Sequence, residues 1–379
     1  MPEKKRVVLL GATGSVGEST LSVLRKHADR FSLLGIAANN SQDELDNIAR
    51  EFEVPHQRLF KDSGIDGLME LSTLPEADII IVATTGTVAV RPTIAALEAG
   101  KKVGLANKET LVLAGQFVIP VARKSKGTLL PVDSEHNAIW QCLEGLADRS
   151  HLRRIHLTAS GGPFLNHTRK ELEEVTTEEA LKHPNWDMGV KITVDSSTMA
   201  NKGLEMIEAR WLFDLEPDQV RVVIHPQSII HSMAEFRDGS IIAQMAPPSM
   251  TFPIQHVLAY PDRLESCQDP LDFERILRLD LRPPDEDKFP CLRLARTAME
   301  MGGLAPAVFN TANEIAVEAF VQNQIPFLAI ADLIEHTMST ATFTEPGSLD
   351  ELLDLEPEIS KLVRSGLAKF SKGTLSAKS

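Results

Sequence analysis

Residues 5–17 read KRVVLLGATGSVG, and this stretch decides the fold of the first part of the chain. Its apolar run predicts a buried strand, and its glycines follow in a GxxGxxG spacing at Gly11, Gly14 and Gly17. A helical stripe is then expected at Leu21, Leu24, Ala28 and Phe31. Strand, glycine turn and helix in this order favour dinucleotide binding, because glycines let the backbone approach a pyrophosphate at a helix N-terminus. The alternative is a tight turn without a ligand.

Apolar runs alternate with helical patterns through the first third of the chain. The runs are VVLL (7–10), LLGIAA (33–38), IIIVA (79–83), KVGLA (102–106) and TLLPV (128–132). This alternation predicts parallel strands joined by helical crossovers. We therefore expect an α/β protein in which residues 1–133 form a Rossmann-like, doubly wound parallel sheet.

The rest of the sequence changes character twice. Residues 134–260 contain short runs such as RRIHLTAS (153–160) and VKITVDSS (190–197), which we interpret as strands of an α+β catalytic domain. Residues 261–290 are rich in proline, which breaks helices and central strands, and they predict a linker. Periodic apolar positions in residues 291–379 predict a C-terminal helical bundle.

Composition and charge limit the classes of function. The 379 residues are 43% hydrophobic and 24% charged, which are globular proportions, and no apolar run approaches the roughly 20 residues that cross a bilayer. The net charge of −14 disfavours a nucleic-acid partner. Without a recognisable signal peptide or import leader, a soluble, cytoplasmic protein is expected. Cys142, Cys267 and Cys291 lie too far apart to suggest a disulfide framework.

The end of the second predicted strand bears on the choice of dinucleotide. NAD-specific folds place an acidic residue there, on the ribose hydroxyls. This chain has Ala38, Asn39, Asn40 and Ser41 at that point, and its first carboxylate is Asp43. Amides and a hydroxyl tolerate a 2′-phosphate, so NADP is favoured.

Two carboxylates, Asp133 and Glu135, follow the apolar strand of residues 128–132. In an extended segment both would point to one side, and paired oxygens of this kind suit Mg²⁺ or Mn²⁺. A solvated acidic loop is an equally good interpretation of the spacing, and a metal would need a third carboxylate. Glu205 has a plain role as a carboxylate in the first turn of a helix, where it would offset the dipole.

The segment HPNWDMGVKITVDSSTMANKGLE (183–205) concentrates donors that a phosphate monoester requires. Ser196, Asn201 and Lys202 supply a hydroxyl, an amide and an ammonium, and the glycine-flanked Ser160 adds another hydroxyl. Taken singly, each has an ordinary structural explanation as a turn or surface residue. Together they favour a pocket for a phosphorylated small molecule.

Motifs along most of the chain resemble the 1-deoxy-D-xylulose 5-phosphate reductoisomerase family. They are GATGSVG (11–17), LANKETLV (105–112), PVDSEHNAIWQ (131–141), SGGPF (160–164), HPNWDMG (183–189), VDSSTMANKGLE (194–205), IHPQSIIHSM (224–233) and NTANEIAV (310–317). The resemblance implies a homodimeric enzyme that isomerises and reduces 1-deoxy-D-xylulose 5-phosphate to 2-C-methyl-D-erythritol 4-phosphate. It also implies NADPH as cofactor and Mg²⁺, Mn²⁺ or Co²⁺ as the metal.

The resemblance assigns roles to individual residues. It makes metal ligands of Asp133, Glu135 and Glu205, and Lys108 joins these three as catalytic. The implied substrate-binding residues are Ser134, Glu135, Ser160, His183, Trp186, Ser196, Asn201, Lys202 and Glu205, with Trp186 on a flap over residues 183–190. The implied cofactor-binding residues are Gly11, Thr13, Gly14, Ser15, Val16, Ala38, Asn39, Asn40, Asn107, Glu109 and Gly189. Many relatives have lysine or serine at the position of Asn39.

Two rival functions remain at this stage. A semialdehyde-type dehydrogenase also begins with a GxxGxxG loop but needs a cysteine nucleophile, and Cys142 lies in a helical pattern that predicts burial. A regulator that only senses NADP would bind the dinucleotide and gain nothing from a divalent metal. The concentration of phosphate and metal ligands favours the reductoisomerase over both.

Overall fold

A computed structural model of the chain describes residues 4–146, 148–182 and 189–371. The strands are β1 Lys5–Leu10, β2 Phe31–Ala38, β3 His56–Leu59, β4 Ile79–Val82, β5 Lys102–Leu105, β6 Thr128–Pro131, β7 Leu152–Ala159, β8 Val220–Ile224, β9 Ile230–Phe236 and β10 Ile241–Met245. The chain divides into two compact units. The first comprises Met1–Leu111, Gly115–Arg149 and Ile242–Leu277, and the second comprises Val112–Ala114, Ser150–Ile241 and Arg278–Ser379.

The α-helices alternate with the strands in the first part of the chain and dominate its last part. They are α1 Ser15–Lys26, α2 Gln42–Glu51, α3 Phe60–Ser72, α4 Val90–Glu98, α5 Glu109–Lys124, α6 Ser134–Leu143, α7 Arg169–Glu173, α8 Thr177–Ala180, α9 Val190–Ser197, α10 Ala200–Phe213, α11 Thr251–Ala259, α12 Pro290–Met301, α13 Ala305–Val321, α14 Ala329–Thr340 and α15 Leu349–Leu367. None of the described helices is both long enough and apolar enough to span a membrane.

A six-stranded sheet in the order β3-β2-β1-β4-β5-β6 forms the centre of the first unit. Its strand pairs are all parallel. The order reverses between β1 and β4, which is the point where doubly wound sheets bind ligands. The predicted doubly wound sheet is confirmed. The sequence missed β3, because this edge strand, HQRL, is too polar to register as an apolar run.

The first crossover helix is shorter than its predicted stripe. Leu21 and Leu24 are buried as expected, but α1 ends at Lys26. Ala28 is exposed beyond this end, and Phe31 begins β2. The helix stops where the N–H of His27 closes the last turn on the Val23 carbonyl oxygen, so the predicted stripe was wrong in its second half.

A late helix completes the core of the first unit. Ile254, Val257 and Leu258 of α11 lie in the same buried cluster as Val7 and Leu9 of β1. The Lys5 ammonium also donates to carbonyl oxygens at the end of α11, at 3.1 Å for Ala259. The chain therefore returns to the first unit after Ile241. The domain boundaries expected at residues 133, 260 and 290 remain a prediction.

The second unit combines a mixed sheet with helices. Its sheet has the order β10-β9-β7-β8, in which β7 pairs in parallel with β8 and antiparallel with β9. Helices α12 to α15 follow and pack against one another, as predicted for the C-terminal part. Residues 261–289 contain no helix or regular strand, in keeping with their prolines, although Arg282 forms an isolated bridge with Ile224.

Residues 190–197, predicted as a strand, form helix α9. Lys191 and Asp195 form an ion pair at 2.9 Å, an i,i+4 contact that only a helix provides. The Thr193 hydroxyl also donates to the Gly189 carbonyl oxygen at 2.9 Å. The β-branched residues of VKITVDSS favoured a strand, and these local side-chain contacts reverse that preference.

Candidate active site

The glycine loop between β1 and α1 has the shape that its sequence predicts. Gly11 has φ +93°, and a Cβ there would meet the Ala83 carbonyl oxygen at 2.5 Å. A Cβ at Gly17 would overlap the carbonyl oxygens of Gly11 and Ala12. Gly14 differs, since its φ is −89° and the nearest atom to a Cβ would be 3.6 Å away. Two glycines are therefore required by the fold, whereas the third, at the start of α1, would accept a Cβ at ordinary van der Waals distance.

The end of β2 presents polar groups to solvent. Ala38 is buried, whereas Asn39 and Asn40 are both exposed. The first acidic residues lie beyond them, at Asp43 and Glu44 in the first turn of α2. The strand end is thus free of carboxylates, as the sequence indicated.

Asn107 ties together two loops at the carboxyl edge of the sheet. Its amide donates to the carbonyl oxygens of Thr84 at 2.9 Å and Gly86 at 3.1 Å, and to the Glu109 carboxylate at 2.9 Å. Its Oδ1 accepts the N–H of Thr110 at 2.7 Å. With 3% exposure, Asn107 fixes the loop after β4 against the start of α5.

Asp133 and Glu135 lie at the N-terminus of α6 and not in an extended segment as predicted. Asp133 is the N-cap, and its Oδ1 accepts the Glu135 N–H at 3.2 Å. Its Oδ2 forms an ion pair with the Lys108 ammonium, and both side chains are largely buried. The Ser134 hydroxyl donates to Glu135 Oε2 at 2.6 Å. The structure therefore groups all four predicted site residues around one helix end.

Two serines predicted to bind phosphate lie on neighbouring segments of the second unit. Ser160 follows β7, and its Oγ accepts the Gly162 N–H at 3.2 Å. Gly162 has φ +66°, and a Cβ there would meet the Ser196 carbonyl oxygen at 2.7 Å. Because glycine permits this close approach, the Ser160 loop packs directly on the end of α9 that carries Ser196.

Asn201, Lys202 and Glu205 form one cluster on α10, in which Asn201 is half-buried and the other two are buried. The Asn201 amide donates to Glu205 Oε1 at 2.5 Å, and the Lys202 ammonium pairs with Oε2. The side chains of Lys202 and Glu205 are only 5% and 1% exposed. Glu205 lies in the second helical turn, so its predicted role in the first turn was wrong. Its charge is compensated by side chains and not by the helix dipole.

The sequence interpretation missed further buried polar residues in this unit. Asp195 is 1% exposed and accepts the Asn313 amide at 2.7 Å as well as the Lys191 ammonium. Glu208, one turn beyond Glu205 on α10, is 4% exposed. The spacing of Lys191 and Asp195 was the available signal, but it was hidden by the strand interpretation.

The remaining candidate residues are His183, Trp186 and Gly189, together with Cys142, which the rival semialdehyde dehydrogenase would need as its nucleophile. His183 and Trp186, with most of the predicted flap over residues 183–190, fall outside the described residues. Gly189 is the N-cap of α9. Cys142 is 6% exposed within α6, as expected, which makes it a poor nucleophile for a semialdehyde dehydrogenase.

Family models match both units. The model described as 1-deoxy-D-xylulose 5-phosphate reductoisomerase matches residues 7–60 and 56–115, and its C-terminal domain model matches residues 129–213. A second model, DXP reductoisomerase C-terminal domain, matches residues 245–362. A Pseudomonas putida protein named 1-deoxy-D-xylulose 5-phosphate reductoisomerase is 44% identical over 98% of this chain and 100% of its own. The chain belongs to the 1-deoxy-D-xylulose 5-phosphate reductoisomerase family.

Solved structures of reductoisomerases share the whole fold. The enzyme from Zymomonas mobilis, solved in complex with NADPH, superposes with a TM-score of 0.90 at 40% identity, covering 96% of this chain and 99% of its own. Another reductoisomerase, solved with NADPH, fosmidomycin and magnesium, gives a TM-score of 0.89 at 39% identity, covering 96% of this chain and 98% of its own. The predicted family is confirmed, and the semialdehyde dehydrogenase is excluded as the family of this chain.

Proposed function

We propose that the chain catalyses the NADPH- and divalent-metal-dependent conversion of 1-deoxy-D-xylulose 5-phosphate to 2-C-methyl-D-erythritol 4-phosphate. The observation that carries this proposal is the family relationship over nearly the full length, since 98% of this chain aligns with the Pseudomonas putida reductoisomerase. The described site residues add chemical support, because each unit holds a carboxylate and lysine arrangement suited to an anionic substrate and a hard cation.

The glycine loop fits a nicotinamide dinucleotide. Gly11 and Gly17 shape the turn, and the N-terminus of α1 that follows Gly14 is suited to bind a pyrophosphate. The coenzyme supplies the hydride for the reduction when it is bound. The proposed contacts are Gly11, Thr13, Gly14, Ser15, Val16, Ala38, Asn39, Asn40, Asn107, Glu109 and Gly189.

The donor set fits Mg²⁺, Mn²⁺ or Co²⁺. Asp133, Glu135 and Glu205 are the proposed ligands, and hard divalent ions prefer carboxylate oxygens of this kind. Such an ion supplies Lewis-acid stabilisation of negative charge on the reacting oxygens when bound. Asp133 forms an ion pair with Lys108, and Glu205 forms one with Lys202. These two carboxylates are therefore fixed in position, and their charges are compensated.

The proposed phosphate pocket uses Ser160, Ser196, Asn201 and Lys202. Hydroxyl, amide and ammonium donors bind a phosphate monoester, and that binding energy can orient the reacting carbons at the other end of the substrate. Ser134 is a further proposed substrate contact beside the carboxylates. His183 and Trp186 are proposed to cover the substrate and exclude water.

A homodimer in the cytoplasm is the proposed state of the protein. The outer strand β10 carries Ile241 and Ile242, which are 53% and 49% exposed. An apolar edge strand of this kind is a ready template for pairing with a second chain. The cysteines Cys142, Cys267 and Cys291 are all free thiols, which suits a reducing compartment.

The direct test mixes the purified protein with 1-deoxy-D-xylulose 5-phosphate, NADPH and Mn²⁺ and follows nicotinamide absorbance with and without EDTA. We expect substrate-dependent oxidation of NADPH that EDTA abolishes and added Mn²⁺ restores. A folded protein that binds NADPH but oxidises none of it under these conditions would instead be the NADP sensor.

A further inference from the structure

The proposed cofactor subsite at the end of β2 has no positive charge of its own. From Asn39 to Ala49 the sequence contains neither lysine nor arginine, and Asp43 and Glu44 make this segment acidic. NADP-binding folds place the 2′-phosphate at this strand end, where a cation accommodates it. Another segment must therefore supply the positive charge if NADPH is preferred.

The neighbouring strand brings such a charge to the same edge of the sheet. β2 and β3 pair in parallel with Ala38 opposite Leu59, so their carboxyl ends lie side by side. Two residues beyond Leu59, the backbone N–H of Lys61 donates to the Asn39 carbonyl oxygen at 3.1 Å. This hydrogen bond fixes the Lys61 backbone directly beside the loop that follows β2.

The Lys61 ammonium is available to a ligand. Lys61 is exposed, and within the described part of the chain no carboxylate pairs with it. Nearby arginines are engaged: the Arg58 guanidinium contacts the Glu70 carboxylate at 2.7 and 3.1 Å, and Arg50 donates to Asn47. A lysine carries its charge on a flexible four-carbon stem, which can reach a phosphate next to its own backbone.

We propose that Lys61 binds the 2′-phosphate of NADPH and sets the preference for NADPH over NADH. The inference rests on the proposed function, because it requires the dinucleotide to occupy the loop after β1. Asp43, Glu44 and Asp62 are exposed on the first turns of α2 and α3. Without Lys61 these carboxylates would repel a dianionic phosphate. The lysine therefore determines whether the charges around this subsite attract or repel the 2′-phosphate.

The Lys61→Gln variant tests this role of Lys61 through measurements of cofactor binding, without any measurement of catalysis. Dissociation constants for NADPH and NADH are measured by titration calorimetry without substrate or metal. We expect Lys61→Gln to weaken NADPH about 10- to 100-fold, the range of one charge-assisted hydrogen bond, and to leave NADH unchanged. Lys124→Gln, an exposed lysine in the last turn of α5, is the matched control and should change neither constant.

A second pair of probes isolates the phosphate. Adenosine 2′,5′-bisphosphate should lose affinity in Lys61→Gln, whereas AMP should not, and Asn39→Lys in the Lys61→Gln background should restore the bisphosphate. If the wild-type protein binds no NADPH, the proposed function fails and this inference fails with it. If the wild-type protein binds NADPH, two results for Lys61→Gln would overturn the role of Lys61 and leave the proposed function standing. One is an unchanged dissociation constant for NADPH, and the other is an equal loss of affinity for NADPH and NADH.

Discussion

The glycine loop of the first unit and helix α10 of the second both carry residues proposed to act in the reaction, yet different forces stabilise them. Backbone packing shapes the loop, because a side chain at Gly11 or Gly17 would occupy the space of neighbouring carbonyl groups. Charge compensation shapes α10, because Lys202 and Asn201 satisfy a Glu205 carboxylate that is almost fully buried. Mutations should therefore act on the loop through sterics and on α10 through uncompensated charge.

The largest effect is expected on α10. Lys202→Met should lower the free energy of unfolding by roughly 3–5 kcal/mol, because it leaves the buried Glu205 carboxylate without its cation. Urea denaturation at pH 7 measures this loss. The Lys202→Met/Glu205→Met double variant should recover much of it, since no unpaired charge then remains.

An exposed pair provides the control for that experiment. Lys182 and Glu178 form an i,i+4 ion pair at 3.0 Å, with side chains 68% and 85% exposed. Lys182→Met should change the free energy of unfolding by less than about 0.5 kcal/mol. Equal losses in Lys182→Met and Lys202→Met would contradict the importance of burial on α10.

A smaller effect is expected in the glycine loop. Gly17→Ala should lower the free energy of unfolding by roughly 1–3 kcal/mol, because its Cβ has no space beside the carbonyl groups of Gly11 and Ala12. Gly14→Ala should leave that free energy nearly unchanged, since its Cβ would have ordinary van der Waals distances. If urea denaturation gives the same result for both variants, backbone packing does not shape the loop.

The smallest effect is expected in a charge cluster of the second unit whose arginines are partly exposed, at 55% for Arg153 and 26% for Arg154. Glu235 contacts His156 at 2.8 Å, Arg154 at 3.1 Å and Arg153 at 3.0 Å, and the hydrogen bond to His156 is the main cause that lowers the pKa of Glu235. Because the folded state lowers this pKa, ionised Glu235 stabilises the protein above the unfolded pKa of about 4.3. That stabilisation disappears as the pH falls through the folded pKa.

Glu235→Gln should therefore cost at most about 1 kcal/mol at pH 7. The difference from the wild type should shrink as the pH falls below about 5 and Glu235 becomes protonated. Urea denaturation across this range measures it, with the exposed Glu358→Gln as control. A difference that grows as the pH falls below about 5 would contradict the lowered pKa of Glu235.

Sequence patterns predicted what depends on periodicity and missed what depends on long-range pairing. The runs that became the inner strands β1, β2, β4 and β5 are apolar because both faces of a central parallel strand are buried. The edge strand β3 has no such requirement, and its polar residues gave no signal. The contact between Lys61 and Asn39 follows from the pairing of β2 with β3, so it could not be inferred without that strand.

Sequence motifs identified the candidate site residues, but the sequence did not predict the secondary structure in which some of them lie. Asp133 and Glu135 were expected on an extended segment, and the capping preference of aspartate places them on a helix end. Residues 190–197 were expected as a strand because of their β-branched side chains, and the ion pair between Lys191 and Asp195 favours a helix. In both cases local hydrogen bonds outweighed the pattern.

The steady-state kinetics of Glu205→Gln test the central claim that the α10 carboxylate holds the catalytic metal. With 1-deoxy-D-xylulose 5-phosphate, NADPH and Mn²⁺, we expect kcat to fall by roughly 10²–10³-fold with little change in KM, because the interaction lost acts on the developing charge. Ser196→Ala should mainly raise KM. The amide of Gln keeps an acceptor for Lys202, and thermal unfolding verifies that the variant is folded. An unchanged kcat in folded Glu205→Gln would contradict the metal assignment.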